Sequence, residues 1–160
     1  TEKVIGGVFY GKSKKTVRDD SEEITVRDNS EEMLVNKVKH FKDLFVWQRS
    51  HQLFLDIVKD IENFPKNVVS NVIINQIVRS VGSISSNIAE GFNSMTTKQY
   101  LNFLDIARRS SAESENWFYK LKDVGYLKDD IADKRINVCF ELNKMIYGLM
   151  NSLRRKAVKR

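Results

Sequence analysis

The strongest constraint in this chain is an apolar pattern recurring every three or four residues through four successive segments after Phe41. Such spacing gathers apolar side chains on one face of an α-helix. In the first segment the stripe is Leu44, Trp47, His51, Phe54, Val58 and Ile61, widened by Leu53 and Ile57. Asp43 is the expected N-cap, and Pro65 stops the run. The second segment begins near Ser70 and carries Ile74, Ile77, Val81, Ile84 and Ile88, with Gly91 as a natural C′ residue. The third opens with Thr96 and Gln99 in capping-box register, runs through Leu104, Ala107, Ser111, Ser114, Phe118 and Leu121, and ends at Gly125. The fourth starts near Asp129 or Asp130 and presents Ile131, Ile136, Val138, Leu142, Ile146, Leu149 and Leu153.

Each helix is expected to span about 20 to 27 residues, or ~30–40 Å at the helical rise. Short links between helices of matched length favour antiparallel neighbours. The predicted fold is therefore all-α, an antiparallel up-down-up-down four-helix bundle over residues 41–155 with an N-terminal extension and a basic tail at 156–160. Residues 1–40 read differently: short apolar patches at Val8-Phe9-Tyr10 and Ile24-Thr25-Val26 sit among charges. A mobile tail is the leading reading of that extension, and a marginal hairpin is the alternative.

Charge bears on partners. Residues 1–40 hold eight of the 27 Lys/Arg and eight of the 21 Asp/Glu, so the whole excess of +6 belongs to residues 41–160. Lys98, Arg108, Arg109, Lys120 and Lys122 lie on the third helix, and Arg154, Arg155, Lys156, Lys159 and Arg160 crowd the C-terminus. These ten are the candidate nucleic-acid-binding residues, suited to neutralising phosphates. A solvated surface is the competing reading.

Catalysis finds little support. Glu90, Glu113 and Glu115 suggest a carboxylate-bridged metal centre, but such bundles use Glu-x-x-His pairs and none occurs. His51 reads as a hydrogen-bonded or partly exposed side chain. No glycine elbow accompanies Ser83, Ser85, Ser86, Ser110 or Ser111, and Gly82 and Gly91 form no phosphate-binding loop. The expectation is a non-enzyme with no cofactor and no metal. Ser86, Asn87 and Glu90 are expected to form a polar network joining helices or subunits, a ligand site being the alternative, with Arg79, Arg108 or a backbone group compensating Glu90. Cys139, the only cysteine, reads as a small buried residue, which suits a reducing, cytoplasmic setting. No run is long and apolar enough for a membrane span.

Several of these residues also carry a resemblance. Phe41-Lys42-Asp43-Leu44-Phe45-Val46-Trp47-Gln48 resembles the F-x-D-L-x-V-W-Q opening of the four-helix bundle proteins encoded in intervening sequences of bacterial 23S ribosomal RNA genes. Gln76-Ile77-Val78-Arg79, then Ser83 to Gly91 with Ser86, Asn87 and Glu90, resembles the second signature, Q-I-x-R…S-I-P-S-N-I-A-E-G. Phe103 to Ala107, with Ser110, Ala112, Glu113 and Glu115, resembles the third, and Asp123-Val124-Gly125-Tyr126-Leu127 the link before the last helix. Ser85 stands where proline is usual, Arg109 where glycine is common, and Ser114 where leucine is common. The same group includes the accessory variability protein of diversity-generating retroelements. The resemblance implies an antiparallel bundle, a homo-oligomer that is a five-membered ring in several members, and RNA or a reverse transcriptase as partner. Asp43, Trp47, Gln48, Gln76, Arg79, Ser86, Asn87, Glu90, Gly91 and Glu113 are the motif positions it marks.

Overall fold

The chain enters its first helix through a tight turn. The computed structural model describes residues 38–158, and the calls on the N-terminal extension before residue 38 and on Lys159 and Arg160 lie outside them. Phe41–Asp43 forms one 3-10 turn, after which Leu44 is extended at φ −74°, ψ 120°. Helix α1 then runs Phe45–Asp60 and ends in a second 3-10 turn, Ile61–Asn63. Asp43 is therefore not the α-helical N-cap: its Oδ2 accepts from the amides of Lys39 and His40, at 3.0 and 2.9 Å, and closes the turn ahead of the helix. At 16 residues α1 is shorter than expected, because the chain breaks at Leu44 and tightens before Pro65.

Helix α2 spans Val68–Phe92, α3 Thr97–Asp123 and α4 Asp129–Val158. Neighbours in sequence are neighbours in space, and α1 closes the ring against α4 along the least extensive of the four seams. The all-α bundle is as expected. No strand occurs among the described residues.

The interior is lined by Leu53, Ile57, Ile77, Val81, Ile84, Ile88, Leu104, Phe118, Leu121, Leu142 and Ile146, each at most 1 % exposed. In α1 the buried face is Val46, Ser50, Leu53 and Ile57. Of the expected stripe, Leu53 and Ile57 lie on this face, whereas Trp47, His51 and Phe54 sit to one side of it half-buried and Val58 is exposed. The reason is Ser50: this small side chain is fully buried, its hydroxyl returning to the Trp47 carbonyl at 2.8 Å. A serine in the core face made the neighbouring stripe look continuous.

Three helix ends show what the turns require. Asn67 caps α2 by accepting from the Ser70 amide at 2.9 Å. Thr96 caps α3 by accepting from the Gln99 amide at 3.2 Å. At the far end of α3, Gly125 at φ +72° completes a Schellman motif. Its amide donates to Lys122, and the Tyr126 amide donates to Leu121. Gly91 plays no such part. It lies inside α2, and Asn93 is the C-cap at φ −89°. A Cβ on Gly91 would meet Tyr100 Cδ2 at 2.7 Å and Phe103 Cβ at 3.0 Å, so the glycine lets α3 approach.

Candidate nucleic-acid interface

Antiparallel packing sets the start of α3 beside the end of α4. Lys98 and Arg154 therefore line one groove of about 510 Å³ with Leu101, Asn102, Met150 and the carboxylate of Asp105, which is engaged by Arg108 and Arg109. Arg155 and Lys156 ride on the last turns of α4, which runs through Val158. None of these four cations has an ion-pair partner among the described residues, although Arg154 donates to Asn151 Oδ1 at 3.1 Å. Cations at a helix C-terminus are also favoured by its negative end.

The remaining candidates on α3 do not join this cluster. Lys98 and Lys122 are separated by most of a straight helix, ~36 Å. Asp105 holds both Arg108 and Arg109, at 3.0 and 3.2 Å, so two guanidiniums share one carboxylate. Lys122 donates to Asp133 at 2.6 Å, and that bond raises its pKa. Lys120 lies over the Trp117 ring, 3.9 Å from its centre. Of the eight candidates among the described residues, the four without an ion-pair or ring partner, Lys98, Arg154, Arg155 and Lys156, thus gather at one end of the bundle.

Most motif positions turn out to hold the bundle. Trp47 stacks on His51 at 4.8 Å and packs edgewise on Phe41, while Gln48 Nε2 donates to the Lys42 carbonyl at 2.8 Å. Together they fix the turn before α1. Arg79 reaches Gln76 within α2 and Glu113 on α3 at 3.5 Å. Asn87 Nδ2 donates to the Ser83 carbonyl and hydroxyl, and Ser83 Oγ lies 2.9 Å from Ser110 Oγ of α3. Through Ser83 and Ser110, Asn87 thus belongs to a polar link between α2 and α3. Ser86 takes no part, bonding back to the Gly82 carbonyl. Glu90 is exposed and has no ion-pair partner among the described residues, because Arg79 and Arg108 are engaged by Glu113 and Asp105. Among the described residues no three His, Cys, Asp or Glu side chains converge as metal ligands would.

Sequence reasoning passed over two sets of residues. One is the clamp of Arg135 on Asp56 and Asp60, whose partners are too distant in sequence for any local pattern to reveal. The other is Phe140, Lys144 and Tyr147, which line a second groove with Arg108, Ala112 and Asn143. Their spacing, four and three residues apart and out of step with Leu142 and Ile146, was a legible sign of a second, outward face.

No helix of the described residues is long and apolar enough to cross a membrane. No curated protein matches the chain. Among solved structures, the chain is similar to a protein with unknown function from the S23 ribosomal protein family of Bacteroides thetaiotaomicron VPI-5482. The two are 26 % identical with a TM-score of 0.61, and the match covers 66 % of this chain and 97 % of that one. The family model for the 23S rRNA-intervening sequence protein matches residues 42–148, from the turn before α1 deep into α4. This chain belongs to that family.

Proposed function

We propose that this protein is a non-catalytic RNA-binding accessory factor that works as a cytoplasmic homo-oligomer. The observation that carries the reading is the convergence of Lys98 and Arg154, with Arg155 and Lys156 beside them and no carboxylate paired to any of the four among the described residues. Unpaired cations at one end of a rigid bundle attract phosphates and release condensed counterions. The family's description names 23S rRNA, which makes RNA the first polyanion to test. A homo-oligomer, whether the five-membered ring or another, would repeat the basic end and multiply its field.

The experiment is a salt titration of binding to a labelled single-stranded RNA. Four phosphate contacts give a slope of log K against log salt near about −3. Binding that is absent, or indifferent to salt, rejects the reading. A second reading, a scaffold that docks a partner protein such as a retroelement reverse transcriptase, is favoured by Val68, Val69 and Val72. These residues leave 79, 61 and 55 % of their surfaces exposed at the start of α2. Under it, Val72→Lys abolishes partner capture and leaves RNA retention unchanged.

A further inference from the structure

Helix α4 carries two large aromatic side chains on its outer side. Phe140 and Tyr147 are each 57 % exposed, although their neighbours Leu142 and Ile146 are fully buried. Aromatic rings carry the largest apolar surface of any side chains, so leaving two of them bare on one face is costly unless something covers them. They border a groove of about 360 Å³ whose other walls are Arg108, Ala112, Asn143 and Lys144. The margin is cationic, and no carboxylate lines it. Lys144 Nζ stands 5.1 Å from the centre of the Phe140 ring. The Oδ1 of Asn143 is buried with no hydrogen-bond donor.

Exposed rings between cations call for a partner that is flat, apolar and anionic at once. Unpaired bases on a phosphate chain have that chemistry, whereas a duplex hides its base faces inside its own stack. Ring spacing agrees. Seven helical residues separate the rings by ~10 Å along α4. Neighbouring bases of a stacked strand rise only ~3.4 Å along its axis, so two neighbouring bases that reach both rings must be drawn out of their stack. A peptide of acidic residues alone would satisfy the cations and leave the two rings bare.

We infer that the α3–α4 groove is a stacking site for the unpaired bases of an RNA strand. Phe140 and Tyr147 each take one base, while Lys144 faces an adjoining phosphate and Arg108, shared with Asp105 at 3.0 Å, borders the strand. Lys144 needs only to turn from the ring toward a phosphate to open that ring face. After rotation of its amide, Asn143 has an acceptor to offer a base amine or a ribose 2′-hydroxyl, both of which are donors. The inference rests on the RNA reading above and deepens it by naming the form of RNA and the rings that hold it.

The test uses the full chain, labelled oligouridylate as the single strand, and an RNA duplex of equal charge. Phe140→Ala and Tyr147→Ala should each weaken oligouridylate binding about 5- to 100-fold and leave duplex binding unchanged. Phe140→Trp should preserve affinity and show quenched tryptophan emission when the strand binds. Both side chains are exposed, so thermal unfolding of the variants should match the parent. Equal affinity of the alanine variants for oligouridylate, with salt-dependent binding intact, overturns the stacking site and leaves RNA binding standing. No binding of either RNA by the parent removes both. A changed mass of the alanine variants in native buffer also overturns the inference, assigning the face to contacts between copies.

Discussion

Arg135 of α4 holds Asp60 at the end of α1 in a fork, with Nε and Nη2 donating to the two carboxylate oxygens at 2.9 and 3.2 Å. Its Nη1 donates to Asp56 one turn earlier at 2.7 Å. The side chains of Arg135 and Asp60 are only 17 and 14 % exposed, which separates this pair from the screened ion pairs elsewhere on the molecule. Burial works against the guanidinium's charge. The hydrogen bond to Asp60 and the charges of Asp60 and Asp56 more than offset it, so the Arg135 pKa ends above its ordinary value. Arg135→Met would leave two half-buried carboxylates four residues apart without a counter-charge. The expected loss is about 2–3 kcal/mol, below the full buried-pair figure because water still reaches the site. Urea unfolding measures it, and the triple variant with Asp56→Asn and Asp60→Asn should recover part of the loss. A loss under about 0.5 kcal/mol would mean the clamp behaves as a surface pair.

Two glycines should answer the same substitution with opposite signs. Gly148 lies inside α4 with nothing within 4 Å of an added Cβ, so Gly148→Ala gains helix propensity alone, up to about 1 kcal/mol. At Gly91 the new methyl would drive into the Tyr100 ring and Phe103. Overpacking of that kind costs about 1–3 kcal/mol, which exceeds the propensity gain. Gly91→Ala should therefore lower the midpoint of thermal unfolding and Gly148→Ala should raise it. Parallel shifts in the two variants would contradict the close approach of α2 and α3.

Alkaline pH should unfold this protein through two groups that the fold keeps neutral. Burial pushes the Cys139 thiol from 9.0 up to about 12, helped by the charge of Glu115 and opposed by a hydrogen bond from Ser111. Burial likewise pushes the Tyr100 phenol from 10.0 to about 12. In the unfolded chain both ionise earlier, so above pH ~9 the unfolded state binds fewer protons and stability falls as pH rises. The contribution is complete below pH ~9 and is lost toward pH ~12, at up to about 1.4 kcal/mol per unit for each group. Urea midpoints at a series of pH values test this. Cys139→Ala should flatten the decline between pH ~9 and ~10, where the thiol of the unfolded chain titrates ahead of the phenol. An unchanged slope in that variant would mean the thiol is not held neutral.

The helices were legible in the sequence because burial and periodicity agree there, as at Ile77, Val81, Ile84 and Ile88, all fully buried. Thr96 and Gly125 were legible because their roles are local: a side-chain cap and a left-handed turn depend on a few adjacent residues. Gly91 was misplaced, since a glycine near a helix end looks the same whether it ends the helix or admits a neighbour. Ser50 hid the true face of α1 because a hydroxyl that bonds its own backbone is buried as easily as an alkyl group. The basic surface was only half legible. Composition gives the number of cations, but which of them are already paired depends on contacts such as Lys122 to Asp133 and Arg109 to Asp105.

Small side chains meet along the seam between α2 and α3, and Ser114 is one of them. Ser114 is fully buried, with its Oγ 3.0 Å from Ser80 Oγ and 2.8 Å from the Ser110 carbonyl. Ser80 returns its own hydroxyl to the Ile77 carbonyl at 3.1 Å, so it keeps a partner if Ser114 is lost. Two effects can therefore be separated. Ser114→Ala removes the hydrogen bonds and keeps the volume, and should cost no more than about 1 kcal/mol. Ser114→Leu adds bulk where two helices meet, and should cost about 2–3 kcal/mol because neither backbone can retreat without opening the core. Leucine is the better helix former of the pair with serine, so propensity works against this ranking and cannot produce it. Urea unfolding of the two variants decides between volume and hydrogen bonding. Alanine proving the more damaging change would mean that the hydroxyl network, rather than the small size of its members, sets the distance between α2 and α3.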